Sequence, residues 1–160
     1  MTVEETLLIA VEAHAGQKDL DGKPVILHPL AVGLMGQDEI QIKTGFLHDV
    51  AEDTSVSLDD MRDRGVDEDV LAALQLLTHE KGADYFEYVR RIAASSNRTA
   101  IQVKINDLRN NLRRGRLSLE LAERAGDAAK AARLVAIGAK HRKALEIFGL
   151  RDDEASDRAI

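Results

Sequence analysis

Glycines and helix-capping residues cut this chain into pieces whose length suits helices. Thr2-Val3-Glu4-Glu5 has the pattern of a capping box, in which a hydroxyl and a carboxylate three residues apart each satisfy a backbone amide of the other. Leu7, Leu8 and Val11 follow it. This pattern predicts a helix over 3–15, ended by Gly16. Gly22 and Pro24 make 17–27 a loop with an extended exit, and 29–35 is helical with Pro29 in its first turn. Residues 41–54 read as one buried helix. Ser57 with Asp60 opens another, stopped by Gly65, and Asp67 can cap a helix through about 79, broken at Gly82. Helices over 84–95, 99–113, 118–125 and 128–148 complete the set, with Gly149 where a glycine cap belongs.

Composition supports the same class. Aromatic residues are 3% of the chain, prolines number two, and the good helix formers Ala, Leu, Glu, Arg and Lys dominate. An all-α fold is expected, and 160 residues suit one domain. The expected division is a domain over 1–150 and an acidic, frayed tail over 151–160. With no cysteine, the chain has no thiolate nucleophile, disulfide framework or Cys-ligated metal site. No apolar run approaches the ~20 residues of a membrane helix, and no basic stretch precedes the first apolar one. No membrane association and a cytoplasmic location are expected. A net charge of −6 argues against non-specific nucleic-acid binding.

Three segments carry chemistry: His28-Pro29-Leu30, Leu47-His48-Asp49-Val50-Ala51-Glu52-Asp53-Thr54, and the stretch holding Lys104, Asp107 and Asn111. On a helix, Leu47, Val50, Ala51 and Thr54 share one stripe, and His48, Asp49, Glu52 and Asp53 take the opposite side. Three carboxylates and an imidazole so close together repel one another unless a cation sits among them. Nitrogen and carboxylate donors suit Mn, Fe, Zn or Co better than Ca. The simpler alternative is a solvated acidic helix face. Lys104, Asp107 and Asn111 are spaced i, i+3, i+7 beside the apolar stripe of Ile101, Ile105, Leu108 and Leu112. Arg109, Arg113, Arg114 and Arg116 follow, and they either cradle a phosphorylated substrate or balance the acidic surface.

Together these segments resemble the HD phosphohydrolase superfamily, with its single His, His-Asp dipeptide and distant Asp. More closely, the chain is similar to the hydrolase domain of RelA/SpoT-type proteins and to small alarmone hydrolases. The likeness runs from Ala13-His14-Ala15-Gly16-Gln17 and Asp21-Gly22-Lys23-Pro24 through the His28 and His48-Asp49 segments to Val103-Lys104-Ile105-Asn106-Asp107 and Asn111. The resemblance implies one divalent metal, usually Mn(II), held by His28, His48, Asp49 and Asp107. It implies that Glu52 and Asp53 order and deprotonate the attacking water, and that Lys18 and Asn111 contact the nucleotide, with Lys104 in support. Arg109 is the expected phosphate contact beyond Asp107. The implied reaction removes the 3′-pyrophosphate of ppGpp or pppGpp. Two alternatives stay open: an HD-type nucleotidase or NADPH phosphatase, and a nucleotide-sensing module without turnover. His14, His79 and His141 carry a structural reading.

Overall fold

The structure, a computed structural model, describes residues 1–153. Among them there is no strand, only an isolated bridge between Lys18 and Pro24. The all-α expectation is met. The described residues fall into two compact units, Met1–Asp107 and the chain from Leu108 onward.

In the first unit the helices are α1 (Val3–Ala13), α2 (Leu27–Leu34), α3 (Glu39–Leu47), α4 (Val50–Asp53), α5 (Leu58–Asp63), α6 (Glu68–Leu77), α7 (Tyr85–Ala94) and the start of α8 (Arg98–Arg124). The capping boxes at Thr2 and Ser57 are both formed. Gly16 and Gly65 adopt the left-handed backbone that ends α1 and α5, with φ of +79° and +89°. In the loop after α1, the Asp19 carboxylate accepts from the amides of Asp21 and Lys23, both at 2.9 Å, which closes the turn around Gly22. The core joins Ile9 and Ala10 of α1 to Phe46, Leu47 and Val50, and to Met61, Val70, Leu71 and Leu74 of α5 and α6. Asp67 precedes α6, but its carboxylate does not cap it. It is engaged instead by the buried ammonium of Lys43 at 2.8 Å, which also meets Glu39 at 2.7 Å and so ties α3 to α6.

Two expected elements differ. The single helix over 41–54 is broken: α3 ends at Leu47, His48 and Asp49 form a turn, and α4 restarts at Val50. The separate helices over 99–113 and 118–125 are one continuous α8. Gly115 lies inside it with open space around its Cβ position, so the cost is only the ~1 kcal/mol of a mid-helix glycine, which the flanking Arg and Leu residues offset.

In the second unit, the rest of α8 and α9 (Ala128–Ile147) are joined through Gly126, with Asp127 capping α9. Its buried apolar residues include Leu112, Ala122, Leu134 and Leu145. Of the stretch expected as a frayed tail, 154–160 lie outside the described residues. Within the described part, Asp152 accepts two bonds from Arg116, at 3.0 and 3.1 Å.

The backbones of α2 and α3 pass so closely that two glycines are required. A Cβ on Gly45 would lie 2.6 Å from the Gly33 Cα and 2.7 Å from its nitrogen, and one on Gly33 would lie 2.2 Å from the Phe46 ring. Alanine at 45 would gain about 1 kcal/mol of helix propensity. It would also push one backbone against another, which cannot yield as a side chain can, and overpacking of this kind costs about 1–3 kcal/mol. The clash should win. Gly45→Ala is expected to lower the unfolding free energy in urea by up to about 2 kcal/mol net; a gain in stability would show that the two helices are free to move apart.

Candidate metal centre

His28, in the first turn of α2, His48, at the end of α3, and Asp107 on α8 are all buried. Asp49 is half-buried and opens α4, but its side chain caps no amide there, so both its oxygens are turned to other partners. His28 Nε2 lies 3.1 Å from Asp107 Oδ1 and 3.5 Å from Asp49 Oδ2. His48 Nε2 lies 3.1 Å from Asp49 Oδ1 and 3.7 Å from Asp107 Oδ1. The two imidazole centroids are 5.1 Å apart, with the rings inclined at 70°. Donor atoms of His28, His48 and Asp49 fall within 4.8 Å of one another. Asp107 Oδ1 faces the Nε2 atoms of both imidazoles.

The donor set fits a divalent transition metal. His48 Nδ1 donates to the Gly45 carbonyl at 2.7 Å, which leaves Nε2 as the nitrogen that faces the carboxylates. That Nε2 is buried and is aligned with no hydrogen-bond partner, although two carboxylate oxygens lie near it. A buried nitrogen in that condition needs a partner that approaches along its lone pair. A metal ion is such a partner, and a bond from the far ring nitrogen to a carbonyl, like that to Gly45, is how histidine ligands are oriented.

Charges around the centre are arranged in opposition. Burial alone would raise the Asp107 carboxyl; the Lys104 ammonium and the two imidazoles overcome this and hold it well below the carboxylate range. Burial would likewise lower Lys104, and Asp107 and the two tyrosines reverse that. Lys104 Nζ donates to Asp107 Oδ2 at 2.8 Å and lies 5.2 and 5.7 Å from the ring centroids of Tyr88 and Tyr85. Lys104, expected as a substrate contact, therefore spends its ammonium on one oxygen of Asp107, and Asp107 turns the other oxygen to the histidines.

Glu52 and Asp53 sit exposed at the rim. Burial by neighbouring protein, with Asp49 close by, raises both carboxyls above their ordinary values. Each is held from outside α4. The His79 amide donates to Glu52 Oε2 at 3.2 Å, and the Gln17 side-chain amide donates to the Asp53 carbonyl at 3.1 Å. The His79 ring bonds the Ala83 carbonyl at 2.9 Å and packs on Tyr88 at 4.8 Å. Sequence reasoning assigned no role to Gln17, Tyr85 and Tyr88 and only a structural one to His79. Gln17 neighbours His14 and the tyrosines lie in a short aromatic run, and neither signal points to a residue 27–36 positions away.

Lys18 is exposed. Arg109 and Asn111 are half-buried on α8 beyond Asp107, in the second unit. Arg116 is paired with Asp152, in line with the alternative that the arginines balance acidic groups.

Burial would lower the His48 imidazole, but the carboxylates of Asp49 and Asp107 outweigh it and raise it to about 9. A histidine whose folded value is raised contributes stability that is complete below its unfolded value and is lost as pH rises through the folded one. The metal-free protein should therefore lose on the order of 3 kcal/mol between pH 6 and pH 9.5. Urea unfolding across that range checks this, and His48→Asn should flatten the slope. A metal must displace the same proton, so calorimetry near pH 7.5 in buffers of different ionisation heat should show proton release on metal loading.

No family model matches the chain. A probable guanosine-3′,5′-bis(diphosphate) 3′-pyrophosphohydrolase of Synechocystis is 50% identical over 54 residues, which cover 31% of this chain and 7% of that protein. A GTP pyrophosphokinase of Myxococcus xanthus is 30% identical over 127 residues, 69% of this chain and 17% of that one. The chain thus spans less than a fifth of the length of these curated relatives. Among solved structures, a metazoan orthologue of SpoT described as hydrolysing ppGpp aligns with a TM-score of 0.62 and 28% identity, over 72% of this chain and 70% of its own. By sequence and by fold, the chain resembles RelA/SpoT-type ppGpp hydrolases.

Proposed function

We propose that the protein is a metal-dependent phosphohydrolase that removes the 3′-diphosphate of guanosine 3′,5′-bis(diphosphate), releasing pyrophosphate. The observation that carries this reading is the convergence of two imidazoles and two carboxylates, with a second carboxylate pair at the rim. The activities named for the Synechocystis relative and the SpoT orthologue support the same substrate. We read 1–150 as the catalytic domain, working in the cytoplasm.

His28, His48, Asp49 and Asp107 would hold the metal, and Mn(II) is our first choice for a mixed nitrogen and carboxylate set. A bound divalent ion lowers the pKa of water and polarises a phosphoryl oxygen. Glu52 takes the proton of the attacking water. Its raised carboxyl suits this, because a base nearer neutrality is a better acceptor of that proton. Asp53 orients the water. Lys104 keeps Asp107 ionised and occupies one of its oxygens, so that the other serves the centre. Lys18, Arg109 and Asn111 are assigned to the nucleotide and its phosphates.

The test is a panel of ppGpp, pppGpp, NADPH and ordinary nucleotides with Mn(II), reading phosphate and pyrophosphate separately. Pyrophosphate from the first two alone is the expected result, and none from either would end this reading. Glu52→Gln should bind metal as the parent does and lose about 10²–10⁴-fold in kcat. An unchanged kcat would remove Glu52 from the mechanism. In the parent, kcat should fall on the acid side at a pH above that of an ordinary glutamate, because the base must be unprotonated.

A further inference from the structure

His14 ends α1, and its side chain is buried with 2% of its surface exposed. Its Nδ1 lies 2.8 Å from Gln17 Oε1, and Gln17 Nε2 donates to the Asp53 carbonyl. The Gln17 amide can donate only through nitrogen, so its oxygen is the group facing His14, and His14 Nδ1 must carry the hydrogen. The direction of the relay is therefore set: His14 donates to Gln17, and Gln17 donates to Asp53.

The receiving carbonyl has a reason to need this bond. α4 is only four residues long, and the last carbonyls of a helix have no partner within it. Thr54 turns away with ψ of 179°, so the chain leaves the helix directly after Asp53. Gln17 supplies the missing donor from 36 residues away in sequence. Gln17 is itself fixed on both sides of its peptide. Its amide donates to the His14 carbonyl at 3.1 Å, and its carbonyl accepts from Val25 at 3.1 Å.

His14 is poorly explained as core filling. Its Nε2 is buried with no hydrogen-bond partner, an arrangement that an apolar side chain would avoid.

We propose that His14 is a positioning residue for Asp53, acting through the side-chain amide of Gln17. The proposal rests on the reading above, in which Asp53 orients the attacking water. The imidazole touches no reacting atom; it sets the place at which α4 ends, and with it the direction of the Asp53 side chain.

Four variants test it: His14→Leu, His14→Asn, Gln17→Leu and the double His14→Leu/Gln17→Leu. Asparagine puts an amide nitrogen where Nδ1 stood, so it can still donate to Gln17, whereas leucine cannot. With Mn(II) saturating and ppGpp as substrate, each leucine variant should lose about 10–100-fold in kcat, the scale of a small misplacement of a catalytic group. KM and the metal-induced rise in Tm should stay at parent values. The double variant should be no slower than the slower single, because two breaks in one relay count once. His14→Asn should recover most of kcat. Full additivity in the double variant, an Asn variant as slow as Leu, or leucine variants at the parent rate would each overturn the relay. A second reading needs no turnover. Nitrogen NMR of the parent should show His14 as the Nδ1–H tautomer, and amide exchange at 50–54 should quicken in both leucine variants but not in His14→Asn. If the parent releases no pyrophosphate, the functional reading fails while these two measurements still decide the relay; a His14 protonated on Nε2 alone, or exchange that does not change, would reject it.

Discussion

Everything at this centre depends on how closely two backbones approach. Gly33 of α2 and Gly45 of α3 meet where any side chain would collide, with 2.6 Å from a built Cβ to the opposing Cα. His28 is five residues before the first glycine, and His48 is three after the second. The contact therefore sets the separation of the two histidines, and their ring centroids stand 5.1 Å apart. Gly45 acts twice, because its carbonyl also receives the His48 Nδ1 hydrogen and aims the other nitrogen inward. Beside it, Lys43 is buried among Asp67 and Glu39, so the helix that carries His48 is fastened by charge as well as by shape.

The break in the helix after Leu47 is the second condition. Adjacent residues on a continuous α-helix point about 100° apart, so a His-Asp pair there could not serve one point. Here the turn at His48 and Asp49 brings Nε2 of one within 3.1 Å of Oδ1 of the other. The same break shortens α4 to a single turn, with few intrahelical bonds of its own. Glu52 and Asp53 lie on that turn, and both are held by groups from distant parts of the chain: the His79 amide and the Gln17 side chain. A weak helix with outside supports places carboxylates at a rim where a regular long helix would carry them away.

Much of this was legible in the chain. Capping boxes at Thr2 and Ser57 and glycine stops at Gly16, Gly65 and Gly149 are local signals, read over a few residues, and the helices they bound are present. The grouping of His28 with His48 and Asp49 was legible only through the family resemblance: the crowded charges of 48–53 suggested a cation but suited a solvated acidic face as well, and nothing local tied His28 to them. The break at His48 was not legible, because the apolar pattern of 41–54 satisfies a helical period on either side of it. Nor was the continuity of α8, because a glycine at 115 stops a helix only when other forces favour stopping, and the open space around it supplies none. The glycine pair was invisible because close approach is a relation between two segments, and neither segment alone records it.

The buried charges show how the fold keeps this site ready. Burying Asp107 and Lys104 singly would be costly, since an isolated ion in the interior is strongly disfavoured. They are buried as a pair at 2.8 Å, with Tyr85 and Tyr88 facing the ammonium. The pair nonetheless leaves the histidines and Asp49 unbalanced. Without a metal, a proton on His48 supplies the positive charge, which is why that imidazole is raised to about 9. A proton cannot align with Asp49 and Asp107 together, and His48 Nε2 is left without a well-directed partner. The folded chain therefore holds an arrangement that one proton satisfies only in part, and that a divalent ion with several coordination positions can satisfy in full.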